Sequence, residues 1–88
     1  MKVLNLPFTK KNSIVQSDLT QYLLKLPFSE LVANHVDTVH GAASFALAES
    51  TSGYFLNQHF AELADVTVPL LRMASIKYKQ KASGDLYS

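Results

Sequence analysis

Asn34-His35-Val36-Asp37-Thr38-Val39-His40-Gly41-Ala42-Ala43-Ser44-Phe45-Ala46-Leu47-Ala48-Glu49 is the stretch on which the fold turns. Asp37 or Thr38 offers an N-cap. From Val39 to about Phe60 the chain is rich in Ala and Leu and compatible with one helix. Such a helix of ~20 residues would be ~30 Å long. Apolar residues occupy most of its circumference, so a central, buried position is expected. Small side chains at 42, 43, 44, 46, 48, 50 and 52 would let a sheet approach closely. Gly53 is its weak point, costing ~1 kcal/mol relative to Ala in a helix interior. Glu49 is the only residue from Gly41 to Ala61 that is formally charged at pH 7. A lone carboxylate in apolar surroundings is costly unless paired or used. Burial would raise its pKa toward the range of a general base.

Working outward, Leu6-Pro7-Phe8 followed by Thr-Lys-Lys-Asn suggests a short N-terminal turn or helix. Residues 13–26 read as a hairpin, with Ser17-Asp18 supplying the turn and Pro27 ending the second strand or placing it on an edge. Beyond a linker at 62–65, two more strands are expected, at Val66 to Leu71 and Ala74 to Ala82. In the second, Lys77, Lys79 and Lys81 alternate with Ile76, Tyr78 and Gln80. Ser83-Gly84-Asp85 forms a bend, and Leu86-Tyr87-Ser88 resumes as a strand. The pattern is α+β, an antiparallel sheet around a long central helix at about residues 39–60, in one domain over 1–88. Because a sheet covering a ~30 Å helix needs more strands than these, the C-terminal part of the domain is expected to be missing.

Composition removes several classes of function. The 88 residues carry eight basic and seven acidic side chains, a net charge of +1, which gives no general attraction to nucleic acid. There is no cysteine, hence no disulfide, thiolate metal site or cysteine nucleophile. No signal peptide or membrane span is read from the apolar stretches, and a cytoplasmic protein is expected. His35, Asp37 and His40 do not match a zinc spacing, so no metal is expected. Ser44, Ser50 and Ser52 lack the G-x-S-x-G setting of a hydrolase elbow. Phe45, Tyr54, Phe55 and Phe60 read as core, and His59 as an exposed residue suited to the helix C-terminus.

The segment from Asn34 to Glu49, with Leu24-Lys25-Leu26-Pro27-Phe28 before it and Ile76-Lys77-Tyr78 and Ser83-Gly84-Asp85 after it, resembles the hotdog-fold acyl-CoA thioesterases. The nearest branch is the phenylacetate-degradation type and its relatives. That resemblance implies a hotdog fold and hydrolysis of acyl-CoA or similar thioesters. It implies that the Gly41 amide serves as oxyanion donor and Glu49 as general base or nucleophile. Asn34 would orient the water or the base, and His40 would contact the thioester or fix the loop. Many relatives carry a second Gly where Ala42 stands, and a strand hydroxyl near the position of Gln80. Lys77, Lys79 and Gln80 are the candidate substrate contacts, the lysines facing the phosphates of coenzyme A. Coenzyme A enters as part of the substrate, and no separate cofactor is implied.

Spacing adds a constraint. Gly41 and Glu49 are eight residues apart, ~12 Å along the axis and ~80° around it. A glutamate side chain cannot span that distance. If both act on one thioester, two antiparallel copies must supply them, which makes an isologous homodimer, with higher oligomers open. The alternatives are a non-catalytic hotdog remnant that dimerises or binds acyl groups, and a hotdog dehydratase. The dehydratases pair an acid with a catalytic His, unlike the Asn…His-Gly…Glu order found here.

Overall fold

The structure is a computed structural model that describes residues 2–60 and 73–88. Its elements in order are α1 (Pro7–Lys11), β1 (Val15–Gln16), β2 (Leu24–Leu26), α2 (Gly41–His59) and β3 (Leu86–Tyr87). Short 3-10 turns precede α1 (Val3–Asn5) and follow β2 (Glu30–Val32). Pro7 opens α1 at a position that needs no N–H donor.

The three strands form one antiparallel sheet in the order β1-β2-β3. Val15 faces Lys25 and Gln16 faces Leu24; on the other edge Lys25 faces Tyr87 and Leu26 faces Leu86. The expected hairpin is therefore present, β2 stops before Pro27, and the resumed strand at 86–87 pairs with its middle. Ser88 extends that pairing, accepting from Leu23 N at 2.7 Å and Leu24 N at 2.9 Å and donating to Leu24 O at 3.0 Å.

β2 alternates as a half-buried strand should. Leu24 and Leu26 are completely buried, while Lys25 points away. The two leucines pack in one cluster with Ala43, Ala46 and Leu47 of α2, joined by Ile14, Val32 and Val39. A long helix laid on a small antiparallel sheet makes an α+β arrangement consistent with a hotdog-like fold.

The helix is long because only one β-branched residue, Thr51, interrupts its Ala- and Leu-rich run, and no proline does. Its buried side chains are Ala43, Ala46, Leu47 and Ser50, a stripe at helical spacing. The expectation of burial all round is corrected. Ala48, Glu49, Phe55 and Leu56 are exposed, the last two at 46 % and 42 %. Among the described residues, the three strands cover one side of the helix and leave these side chains on the other exposed. Gly53 has a packing reason: a Cβ there would stand 3.0 Å from Val3 Cγ2. The N-terminal turn lies against α2 at that point, and Val3 N donates to Asn57 Oδ1 at 3.3 Å.

Two further expectations change. The segment 74–82 forms no strand among the described residues; its backbone meets the rest through Ala82 O, which accepts from Val39 N at 2.8 Å. The alternation there reflects an extended, exposed run that pairs with no strand among the described residues. The strand expected at 66–71 and the linker at 62–65 lie outside the described residues.

The outer face of the sheet carries a polar cluster. Lys25 Nζ lies 3.7 Å from Asp18 Oδ2 and 3.6 Å from Asp85 Oδ2, and 5.5 Å from the centre of the Tyr87 ring. The Tyr87 hydroxyl donates to Asp18 Oδ1 at 3.0 Å and chiefly for that reason holds the Asp18 carboxyl below its ordinary range. Hydrogen bonding to Tyr87, ahead of the nearby carboxylates, raises the Lys25 ammonium. A lowered carboxyl contributes stability that is present above its unfolded pKa and lost as pH falls through the folded value. The raised ammonium contributes below its own unfolded pKa and is lost as pH rises through the folded value. Asp18→Asn should therefore flatten the acid limb of the stability curve, at and below the ordinary carboxylate range. Urea midpoints across that range measure it, and parallel curves for the two proteins would remove the role given to Asp18.

Candidate functional site

The approach to α2 is built by Asn34. Its side-chain Oδ1 accepts from Val36 N at 3.1 Å and Thr38 N at 2.9 Å, and its Nδ2 donates to Thr38 Oγ1 at 2.8 Å. Its own backbone N donates to Thr38 O at 2.7 Å. Such Asx geometry is what an Asn at the head of a turn favours. Asp37 takes a left-handed backbone, φ 62°, and donates its N–H to Asn34 O at 3.2 Å. Asp and Asn tolerate that region better than most residues. The loop closes as a bridge between Ala33 and Val39, and His40 N then donates to Val32 O at 2.7 Å.

This corrects the N-cap. Asp37 and Thr38 belong to the turn, and His40 caps the helix, its Nδ1 accepting from Ala42 N at 3.0 Å. The His40 carbonyl accepts from Ala43 N at 3.0 Å and Ser44 N at 3.1 Å. Of the first-turn amides, only that of Gly41 has no acceptor among the described residues. An unpaired N–H at the positive end of a 19-residue helix attracts developing negative charge.

Gly41 is also covered from one side. The hydroxyl of Tyr78 donates to Gly41 O at 3.0 Å. A Cβ on residue 41 would lie 3.1 Å from Tyr78 Cζ and 3.2 Å from Cε1. Only glycine allows the ring this close.

An open cleft of about 370 Å³ lies beside this contact, lined by Asn34, Thr38, Val39, Gly41, Ser44, Tyr78, Gln80, Lys81 and Ala82. Three of the residues singled out in the sequence, Asn34, Gly41 and Gln80, thus meet in one place. His40 does not line the cleft; its side chain is exposed and turned back onto Ala42. Lys77 and Lys79 are exposed on either side of Tyr78. Glu49 stands two turns along α2, off the buried stripe and exposed. The expectation that apolar neighbours bury it is therefore corrected within the protomer. The 100° helical step places residue 49 outside the face defined by 43, 46, 47 and 50.

Tyr78 is the contact that sequence reading missed. In the sequence it stood as one member of an alternating run and of the segment that carries the resemblance, with no role given to it. Near the other end of α2, Asp18, Tyr22, Tyr54, Gln58 and His59 line a second cleft of about 400 Å³. None of the site residues expected from the sequence falls in it. Among the described residues, no helix is long and apolar enough to cross a membrane.

A family profile described as a domain of unknown function (DUF4442) matches residues 5–88. No curated protein and no solved structure matches the chain.

Removing the Asn34 amide deletes three hydrogen bonds at the helix approach, at about 1 kcal/mol each before relaxation. Asn34→Ala should lower unfolding free energy by about 2 kcal/mol in urea titration. Asn34→Asp, which keeps the two acceptor bonds, should cost less. Equal losses would mean that the carbonyl oxygen is not what organises the turn.

Proposed function

As this chain belongs to the DUF4442 family, in which function is open, we propose from its site that it hydrolyses acyl thioesters of coenzyme A. The observation that carries this reading is the Gly41 N–H at the start of α2, unpaired among the described residues, beside a cleft that also holds Asn34, Gln80 and Lys81. A thioester carbonyl accepted there gains most when its oxygen becomes an oxyanion, because the donor is already aimed and needs no reorganisation. Glu49, supplied by the antiparallel helix of a second copy, takes the proton of a water. That water's oxygen attacks the carbonyl carbon; as the C–S bond breaks, Glu49 returns the proton to the departing thiolate, and the carboxylic acid formed loses its proton to solvent.

Support for a shared site comes from the outward face of α2. Glu49 lies on it, exposed and free of the sheet, among Ala48, Phe55 and Leu56. Asn34 acts through the loop: its amide is committed to the turn that delivers His40 and Gly41, so it positions the donor. Lys81 lines the cleft with cationic charge suited to the phosphates of coenzyme A, while Lys77 and Lys79 are exposed on the same segment and do not line it. His40 fixes the first turn by accepting from Ala42.

Thiol release from a panel of acyl-CoAs, measured for the wild-type chain and for Glu49→Gln, tests the proposal. Loss of a general base should lower kcat by about 10²–10⁴-fold. Light scattering should show a dimer for both proteins. An active Glu49→Gln chain would reject the role of Glu49. A folded dimer with no activity on any acyl-CoA would favour a non-catalytic acyl-binding module.

A further inference from the structure

Residues 73–81 are all exposed, and none of them pairs with a strand among the described residues. The run nevertheless passes close to the start of α2. Tyr78, Gln80 and Lys81 line the first cleft from this run, and Gly41 and Ser44 line it from the helix. We propose that the run is a lid over that cleft, latched shut by the Tyr78 hydroxyl on the Gly41 carbonyl.

The run is held unevenly. At its C-terminal root Ala82 is half-buried against the core, and its carbonyl accepts from Val39 N at 2.8 Å. Beyond it, Asp85 Oδ1 accepts from Phe28 N at 2.8 Å and Leu86 enters the sheet. Gly84, at φ 80°, makes the turn between these anchors in a conformation that glycine takes freely. Ahead of the root the chain bends at Gln80, and there the anchoring changes. Among the described residues, one hydrogen bond ties 73–81 to the rest of the chain, from the Tyr78 hydroxyl to Gly41 O at 3.0 Å. Its seat depends on glycine, since a Cβ on residue 41 would stand 3.1 Å from Tyr78 Cζ. Tyr78 is 58 % exposed, so no core locks the ring in place. A single neutral hydrogen bond shifts an open–closed equilibrium by about two- to tenfold. That biases the lid shut without fixing it there. Breaking the bond frees Tyr78 and the residues before the bend, while Ala82 stays on Val39. The device governs access to the cleft in which the reading above places the thioester, and rests on that reading only for the identity of what enters.

The chain has no cysteine, so one introduced thiol reports one position. Ser44→Cys places it in the cleft, on the helix side. Ser50→Cys, on the buried stripe and outside the cleft, reports opening of the whole domain. In iodoacetamide labelling of the native chain, adding Tyr78→Phe should speed reaction of Ser44→Cys about two- to tenfold and leave Ser50→Cys unchanged. Gly41→Ala keeps the hydroxyl but displaces the ring, and should speed Ser44→Cys likewise. It gives the same comparison should the Phe chain fail to fold. Equal rates at residue 44 with and without the latch overturn the proposal. Equal acceleration at residues 44 and 50 also overturns it, because the whole domain and not the lid has then loosened. The labelling uses no substrate, so its failure is distinct from failure of the hydrolase reading, which acyl-CoA turnover decides.

Discussion

How near a strand can come to α2 governs the rest of the molecule. Ala43, Ala46 and Ser50 keep the inner face of the helix thin, so Leu24 and Leu26 of β2 seat fully against it. Interiors pack densely, and a larger residue at 43 or 46 would have to lift the strand or leave its rotamer. With β2 fixed, β1 and β3 follow by register on its two edges. The price of this economy is one-sidedness. Among the described residues, the sheet meets the helix along a single stripe and leaves Glu49 exposed.

Much of this was legible in the residues. Leu24-Lys25-Leu26 before Pro27 announced a half-buried strand by its period. Ala and Leu without proline announced the helix, and Leu86-Tyr87 announced a strand. Local preferences misled where a neighbour had a stronger claim. Asp37 and Thr38 are good caps in isolation, but Asn34 captures the Thr38 amide and hydroxyl. Val39 is bridged to Ala33 and bonded to Ala82, which delays the helix to Gly41. At 74–82, alternation revealed an extended chain and said nothing about a pairing partner. For Glu49, the apolar composition of its neighbours suggested burial, but helical phase decided against it.

The candidate site divides along the same line. Asn34, His40 and Gly41 are close in sequence, and their relation could be read from spacing. Gln80 was singled out by the resemblance, and the structure brings it to Asn34 and Gly41. The contact of Tyr78 with Gly41 depends on how the chain returns after residue 73, which no local pattern encodes. In the sequence Tyr78 shows only as part of an alternating run and of the segment that carries the resemblance, neither of which points to Gly41.

The sheet's middle strand carries a cost in time. Leu26 pairs with Leu86, and Leu24 with the residue beyond Tyr87, so the central rung of the sheet joins parts of the chain that are far apart. Closing so wide a loop must be paid in entropy before its contacts give anything back. The helix and the first hairpin can form from neighbours alone, whereas one edge of β2 stays open until residues 86–88 reach it. Until then that edge presents unpaired backbone groups on which a foreign strand could pair.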